Sequence, residues 1–120
     1  MKALIVDDTI INIKVAQRLI EHEGLEVQYV MSGKECLIKV KDNKYDIIFM
    51  DIMMPEMDGI ETFKKLQEID GFNTPVIAIT ADAETGAKEK YLKLGFNNYI
   101  AKPIQIDILH NAISSLKIKK

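Results

Sequence analysis

The sequence predicts an α/β fold in which a parallel sheet lies between two layers of helices. Two observations carry this prediction. Five short apolar runs recur along the chain, and each is followed by a helix-length segment with apolar residues three and four apart. Glycines stand at the boundaries where helices should stop, at Gly24, Gly71 and Gly95. Strands that alternate with helices pair in parallel through right-handed crossovers.

The apolar runs are residues 3–6, 25–30, 46–50, 75–79 and 98–101. ALIV, IIFM and VIAI are continuously apolar, as central strands covered on both faces must be. LEVQYV alternates, which suits an edge strand with one polar face. The first helical segment is expected to bury Ile11, Val15, Leu19 and Ile20, and the second Cys36, Leu37 and Val40. The third presents Ile60, Phe63, Leu66 and Gln67, and the fourth Ala87, Tyr91 and Leu94. The fifth presents Ile106, Leu109, Ile113 and Leu116. The lysines at residues 117–120 read as a helix end that complements the dipole.

A chain of 120 residues is one domain of ordinary size and can bury a core without staples. Sixteen basic and eighteen acidic residues leave a charge of −2, so there is no general attraction to nucleic acid or anionic membrane. No run approaches the roughly 18 apolar residues of a membrane span. The N-terminus lacks a signal peptide's apolar core and cleavage site. Cys36, the single cysteine, excludes an internal disulfide and fits a reducing, cytoplasmic setting. It lies on an apolar stripe and reads as inert packing. His22 and His110 have no second ligand at zinc spacing and read as surface or rim residues.

In open parallel sheets, ligands sit at the carboxyl ends of the strands. Those ends present Asp7 and Asp8, Asp51, Thr80, and Lys102 followed by Pro103. Three carboxylates together repel one another unless a cation intervenes. Oxygen ligands without His or Cys favour Mg²⁺. A carboxylate beside Mg²⁺ can act as a nucleophile towards phosphorus, with an ammonium and a hydroxyl to neutralise the transferring oxygens. Each residue alone also has an ordinary explanation. Asp7 and Asp8 could cap the next helix, Asp51 and Lys102-Pro103 could be turn residues, and Thr80 could be a cap. The loop after Asp51 could simply close on Gly59. Convergence at one sheet edge favours the chemical reading. Met50 reads as core, and Met53 and Met54 as soft loop packing, because thioethers do not suit a carboxylate metal site.

LIVDD at residues 4–8, YDIIFMDIMMPEMDG at 45–59, PVIAITA at 75–81 and YIAKPI at 99–104 resemble the receiver domain of two-component response regulators. The likeness covers essentially the whole chain. Asn12, Val15 and Ala16 resemble receivers of hybrid sensor kinases, although Thr9 stands where Asn is commoner in them.

The resemblance implies a flavodoxin-like, doubly wound (βα)5 fold with strand order 2-1-3-4-5. It implies that Asp51 accepts a phosphoryl group from a phosphohistidine on a sensor histidine kinase or histidine phosphotransferase. Asp7, Asp8, Asp51 and the Met53 backbone carbonyl would hold Mg²⁺, one of the acids acting through water. Thr80 and Lys102 would contact phosphoryl oxygens, the Lys102–Pro103 bond would be cis, and Tyr99 would be the switch aromatic. Met53 and Asp82 would border the site and tune hydrolysis. Residues 1–120 would be a single receiver domain without an output domain. It would be a switch rather than a turnover enzyme, acting on a downstream protein through the face of the fourth helix, fifth strand and fifth helix, or relaying the group onward. It would be a monomer or a phosphorylation-dependent dimer.

Two rival functions fit less well. An aspartate-nucleophile phosphatase usually carries a second acid two residues after the nucleophile, where this chain has Met53. A mononucleotide binder needs small residues and free N–H groups after the first strand, where Asp7 and Asp8 would repel phosphate. A third reading, a docking module that no longer takes phosphate, is opposed by the intact acids and Lys102.

Overall fold

The computed structural model describes residues 1–81 and 84–116. Asp82 and the lysine-rich end at 117–120, both assigned roles from sequence, lie outside those residues. The elements alternate as β1 (Lys2–Val6), α1 (Ile10–His22), β2 (Glu26–Val30), α2 (Gly33–Asp42), β3 (Ile47–Asp51), α3 (Gly59–Gln67), β4 (Val76–Thr80), α4 (Ala87–Leu94), β5 (Asn98–Ala101) and α5 (Ile106–Ser115). All five strands are parallel, in the order β2-β1-β3-β4-β5.

Every residue of β3 and β4 is buried, as their unbroken apolar runs require. β2 lies at an edge and exposes Glu26 and Tyr29. The pleat divides the sheet into two cores. Leu4, Val6, Ile48, Met50, Val76 and Ala78 pack with Cys36, Phe63, Leu66 and Tyr91 from α2, α3 and α4. Ile5, Ile47, Phe49, Ile77, Ile79 and Ile100 pack on the other face with Ile13, Ala16 and Ile20 of α1 and Leu109, Ala112 and Ile113 of α5.

The buried face of α1 differs from the one expected. Ile11 and Val15 are 71% and 52% exposed, whereas Ile13 and Ala16 are buried beside Ile20, with Leu19 partly packed. The helix carries two apolar stripes, one stepping by four from Ile11 and one running 13, 16, 20. Periodicity alone fits either, and packing selects the second. Ile106 is likewise exposed while Leu109 and Ile113 are buried, and Gln67 is exposed on α3.

Local chemistry fixes the helix starts. Ser32 Oγ accepts the Glu35 N–H at 3.1 Å, and Glu35 Oε2 accepts the Met31 N–H at 3.2 Å, a reciprocal cap on α2. Asp58 Oδ1 accepts the Glu61 N–H at 2.8 Å and caps α3. Next to that cap, a Cβ on Gly59 would lie 2.4 Å from the Asp51 carbonyl oxygen. Only glycine lets the start of α3 approach the end of β3 so closely.

Candidate functional site

Strand register brings the singled-out residues to one edge. Val6 pairs with Met50, Asp51 with Ile79, and Thr80 with Ala101. The residues that end or follow these strands are Asp7, Asp51, Thr80 and Lys102. By the alternation of strand side chains, Asp7, Asp51 and Lys102 follow Ile5, Phe49 and Ile100 on the side of α1 and α5. Thr80 and Tyr99 follow the opposite alternation, towards α4.

Asp7, Asp8 and Asp51 each offer a carboxylate oxygen within 4.8 Å of the others. Asp7 and Asp51 are buried, and Asp8 is the most open of the three. Lys102 Nζ stands 3.2 Å from Asp51 Oδ1 and 3.6 Å from Asp7 Oδ2. Its backbone N–H donates to the Thr80 carbonyl at 2.8 Å, which ties the ends of β5 and β4 together. The following bond, Lys102–Pro103, is cis. Asp7 Oδ1 accepts the Thr9 N–H at 2.9 Å, so this acid shapes the start of α1 as well as the site.

Burial pushes the Asp51 carboxyl above its ordinary value, and the neighbouring Asp7 charge pushes it further. The Lys102 ammonium, hydrogen-bonded to the Asp51 carboxylate at 3.2 Å, and the Met53 backbone amide pull it partly back. The resemblance points to the Met53 carbonyl and not to this amide. Nothing in a residue type announces a backbone donor. The close approach of Gly59 was missed too, although the Asp58-Gly59 pair was its visible signal.

The acid cluster suits a hard cation with oxygen ligands and no imidazole or thiolate. The other candidates lie elsewhere. Cys36 is fully buried, and burial raises its thiol to about 12, so it is neither a nucleophile nor a metal ligand. His110 Nδ1 lies 2.6 Å from Glu23 Oε1, on the contact between α5 and the end of α1. The Met53 side chain is 72% exposed at the rim, Thr80 is buried, and the Tyr99 ring stacks on Tyr91. A cleft of about 400 Å³ opens beside Asp51 and Lys102, between α1 at Val15 and Ala16 and the turn at Pro103 and Ile104.

Comparison with known proteins agrees with this layout. The chain is 39% identical over 118 residues to the signal transduction histidine-protein kinase BarA of Escherichia coli (strain K12), covering 98% of the chain and 13% of that kinase. It therefore spans only a small part of the relatives it matches. Among solved structures it resembles the Francisella response regulator 1452 receiver domain, with TM-score 0.86, 36% identity, and 96% and 94% of the two chains covered. It also resembles the receiver domain of the sensor histidine kinase PA1611 from Pseudomonas aeruginosa PAO1, with TM-score 0.85, 29% identity, and 95% and 94% covered. Residues 3–114 match the family described as response regulator receiver domain, and the chain belongs to that family.

Proposed function

We propose that Asp51 accepts a phosphoryl group from a phosphohistidine on a sensor histidine kinase or histidine phosphotransferase, and that the chain then switches a protein contact or relays the group. The observation that carries this reading is the buried Asp51 carboxylate, set between Lys102 at 3.2 Å and two further acids. An Asp51 oxygen attacks phosphorus while the bond from phosphorus to the donor's imidazole nitrogen breaks. The imidazole leaves with that electron pair and takes up a proton. Asp7, Asp8, Asp51 and the Met53 carbonyl would hold Mg²⁺, which when bound neutralises charge on the acids and on the transferring oxygens. Support for that ion comes from the all-oxygen donor set and from the related PA1611 receiver, solved with magnesium coordinated in its active site cleft.

Lys102 reaches a second phosphoryl oxygen by turning its ammonium from Asp51 to the incoming group. The Thr80 hydroxyl contacts a third. As Thr80 moves, Tyr99 on the neighbouring strand turns inward, and the face of α4, β5 and α5 changes its affinity for a partner. The chain promotes its own phosphorylation and dephosphorylation and acts as a switch, not a turnover enzyme. Its setting in this reading is the cytoplasm, supported by the free, buried Cys36 thiol. In this reading the chain is a monomer or dimerises on phosphorylation.

Intact mass after incubation with acetyl phosphate tests the reading. A phosphate-sized gain that requires Mg²⁺ and is lost in Asp51→Asn is expected. A gain that persists in Asp51→Asn would overturn the assignment.

A further inference from the structure

We infer that Tyr91, a buried residue of α4, is the positioning residue for the Tyr99 ring and sets how readily that ring turns. The inference rests on the proposed switch role of Tyr99. Four of the eight aromatic rings form one chain of contacts across α4. Tyr99 and Tyr91 are stacked, with centroids 5.5 Å apart and planes 8° from parallel. Tyr91 meets Phe96 edge-on at 6.0 Å and 80°, and Phe96 stacks on Phe63 of α3 at 4.1 Å.

The rings of this chain differ in burial. Tyr91 is 2% exposed, and the Phe96 N–H donates to the Tyr91 carbonyl at 3.2 Å across the left-handed Gly95. The turn beyond is fixed by Asn97, whose N–H donates to the Val76 carbonyl and whose side-chain oxygen accepts the Val76 N–H. Phe96 and Phe63 are buried behind it. Tyr91 is therefore a fixed wall. Tyr99 is only partly buried and lies on an edge strand.

Rotation of Tyr99 breaks the parallel contact. An offset aromatic pair biases an equilibrium by roughly 2- to 12-fold beyond area burial. Tyr91 thus weights Tyr99 towards the orientation seen here. Thr80 lies diagonally across the β4–β5 pair, since Thr80 pairs with Ala101 and Ala78 with Tyr99. Movement of Thr80 acts on Tyr99 against this fixed ring.

Three-bond couplings from Cγ to backbone N and C′ report the χ1 populations of Tyr99. They should be measured with and without Mg²⁺ and beryllofluoride, a phosphoryl mimic. In Tyr91→Leu the ratio of the main Tyr99 rotamer to the others should fall about 2- to 12-fold in the unliganded protein. Tyr91→Phe, which keeps the ring, should retain the original ratio, and Tyr91→Met serves if the leucine variant folds poorly. Asp51 should still be labelled by acetyl phosphate in all of them, since none removes a residue of the acid cluster. A residue that merely fills the core would alter stability and leave these populations alone. Unaltered Tyr99 populations in Tyr91→Leu, or Tyr91→Phe behaving as Tyr91→Leu does, would overturn the inference. Tyr99 populations indifferent to beryllofluoride in the original chain would instead overturn the switch reading itself, and the inference with it.

Discussion

Phe49 and Asp51 stand two residues apart on β3, face the same side of the sheet, and are both buried. Phe49 is surrounded by Ile5, Ile77 and Ile79, and its burial stabilises the fold. Asp51 is surrounded by Asp7, Asp8 and Lys102, and its burial costs stability, because its charge is desolvated and set beside like charge. One strand therefore passes from the part of the molecule that holds it together to the part that stores unfavourable charge. The sheet interior must therefore oversupply stability so that its edge can hold a desolvated carboxylate beside like charge.

Removing the apolar member of the pair should have the largest effect. Phe49→Ala should lower the unfolding free energy by about 3–5 kcal/mol, measured by urea titration. A loss below about 2 kcal/mol would mean that the cleft beside Phe49 closes over the deletion, and that the interior is less committed than the contrast implies.

Compensating the charge from outside should come next. Mg²⁺ at about a hundred times its dissociation constant should raise the unfolding free energy by about 2.7 kcal/mol. Thermal unfolding with and without the ion reads this directly. Asp7→Asn should remove most of the gain, and an undiminished gain would place the ion elsewhere.

Neutralising the carboxylate itself should have a smaller effect of the same sign. Without metal at neutral pH, Asp51→Asn should be more stable than the original chain by on the order of 1 kcal/mol, the imbalance of a partly compensated charge cluster. Asp51 titrates higher in the folded chain than in the unfolded one, so the native state holds its proton more tightly. Stability should therefore fall as the pH rises through the interval between the unfolded carboxyl's value and Asp51's raised one. Urea titrations across pH should show that slope, and Asp51→Asn should lack it. An equal slope in both proteins would assign it to another group.

Much of this contrast was legible in the sequence, because both sides of it are written in residue type. IIFM must be buried on both faces, and acids at strand ends that converge on one edge follow from parallel topology. The edge character of β2 was legible in its alternation. What was not legible depends on backbone geometry or on packing choice. The approach of Gly59 to the Asp51 carbonyl belongs to the first kind. The Tyr91–Tyr99 stack belongs to the second, because a tyrosine on a helical stripe does not say which ring it will meet.

The face of α1 tests this last point with the smallest expected effect. Ile11 and Ile13 are chemically identical and lie two residues apart, so composition cannot rank them. Ile13 is fully buried, and Ile11 is 71% exposed. A buried Ile→Ala change leaves a cavity and costs about 2–5 kcal/mol. An exposed one removes little area from the core, and alanine has the better helix propensity, which offsets part of the loss. Ile11→Ala should therefore change the unfolding free energy by less than about 0.5 kcal/mol in the same urea titration. A loss of several kcal/mol would mean that α1 turns its other stripe to the core. The helix would then be rotated, and Asp7, whose carboxylate holds the Thr9 N–H at its start, would no longer be placed as described.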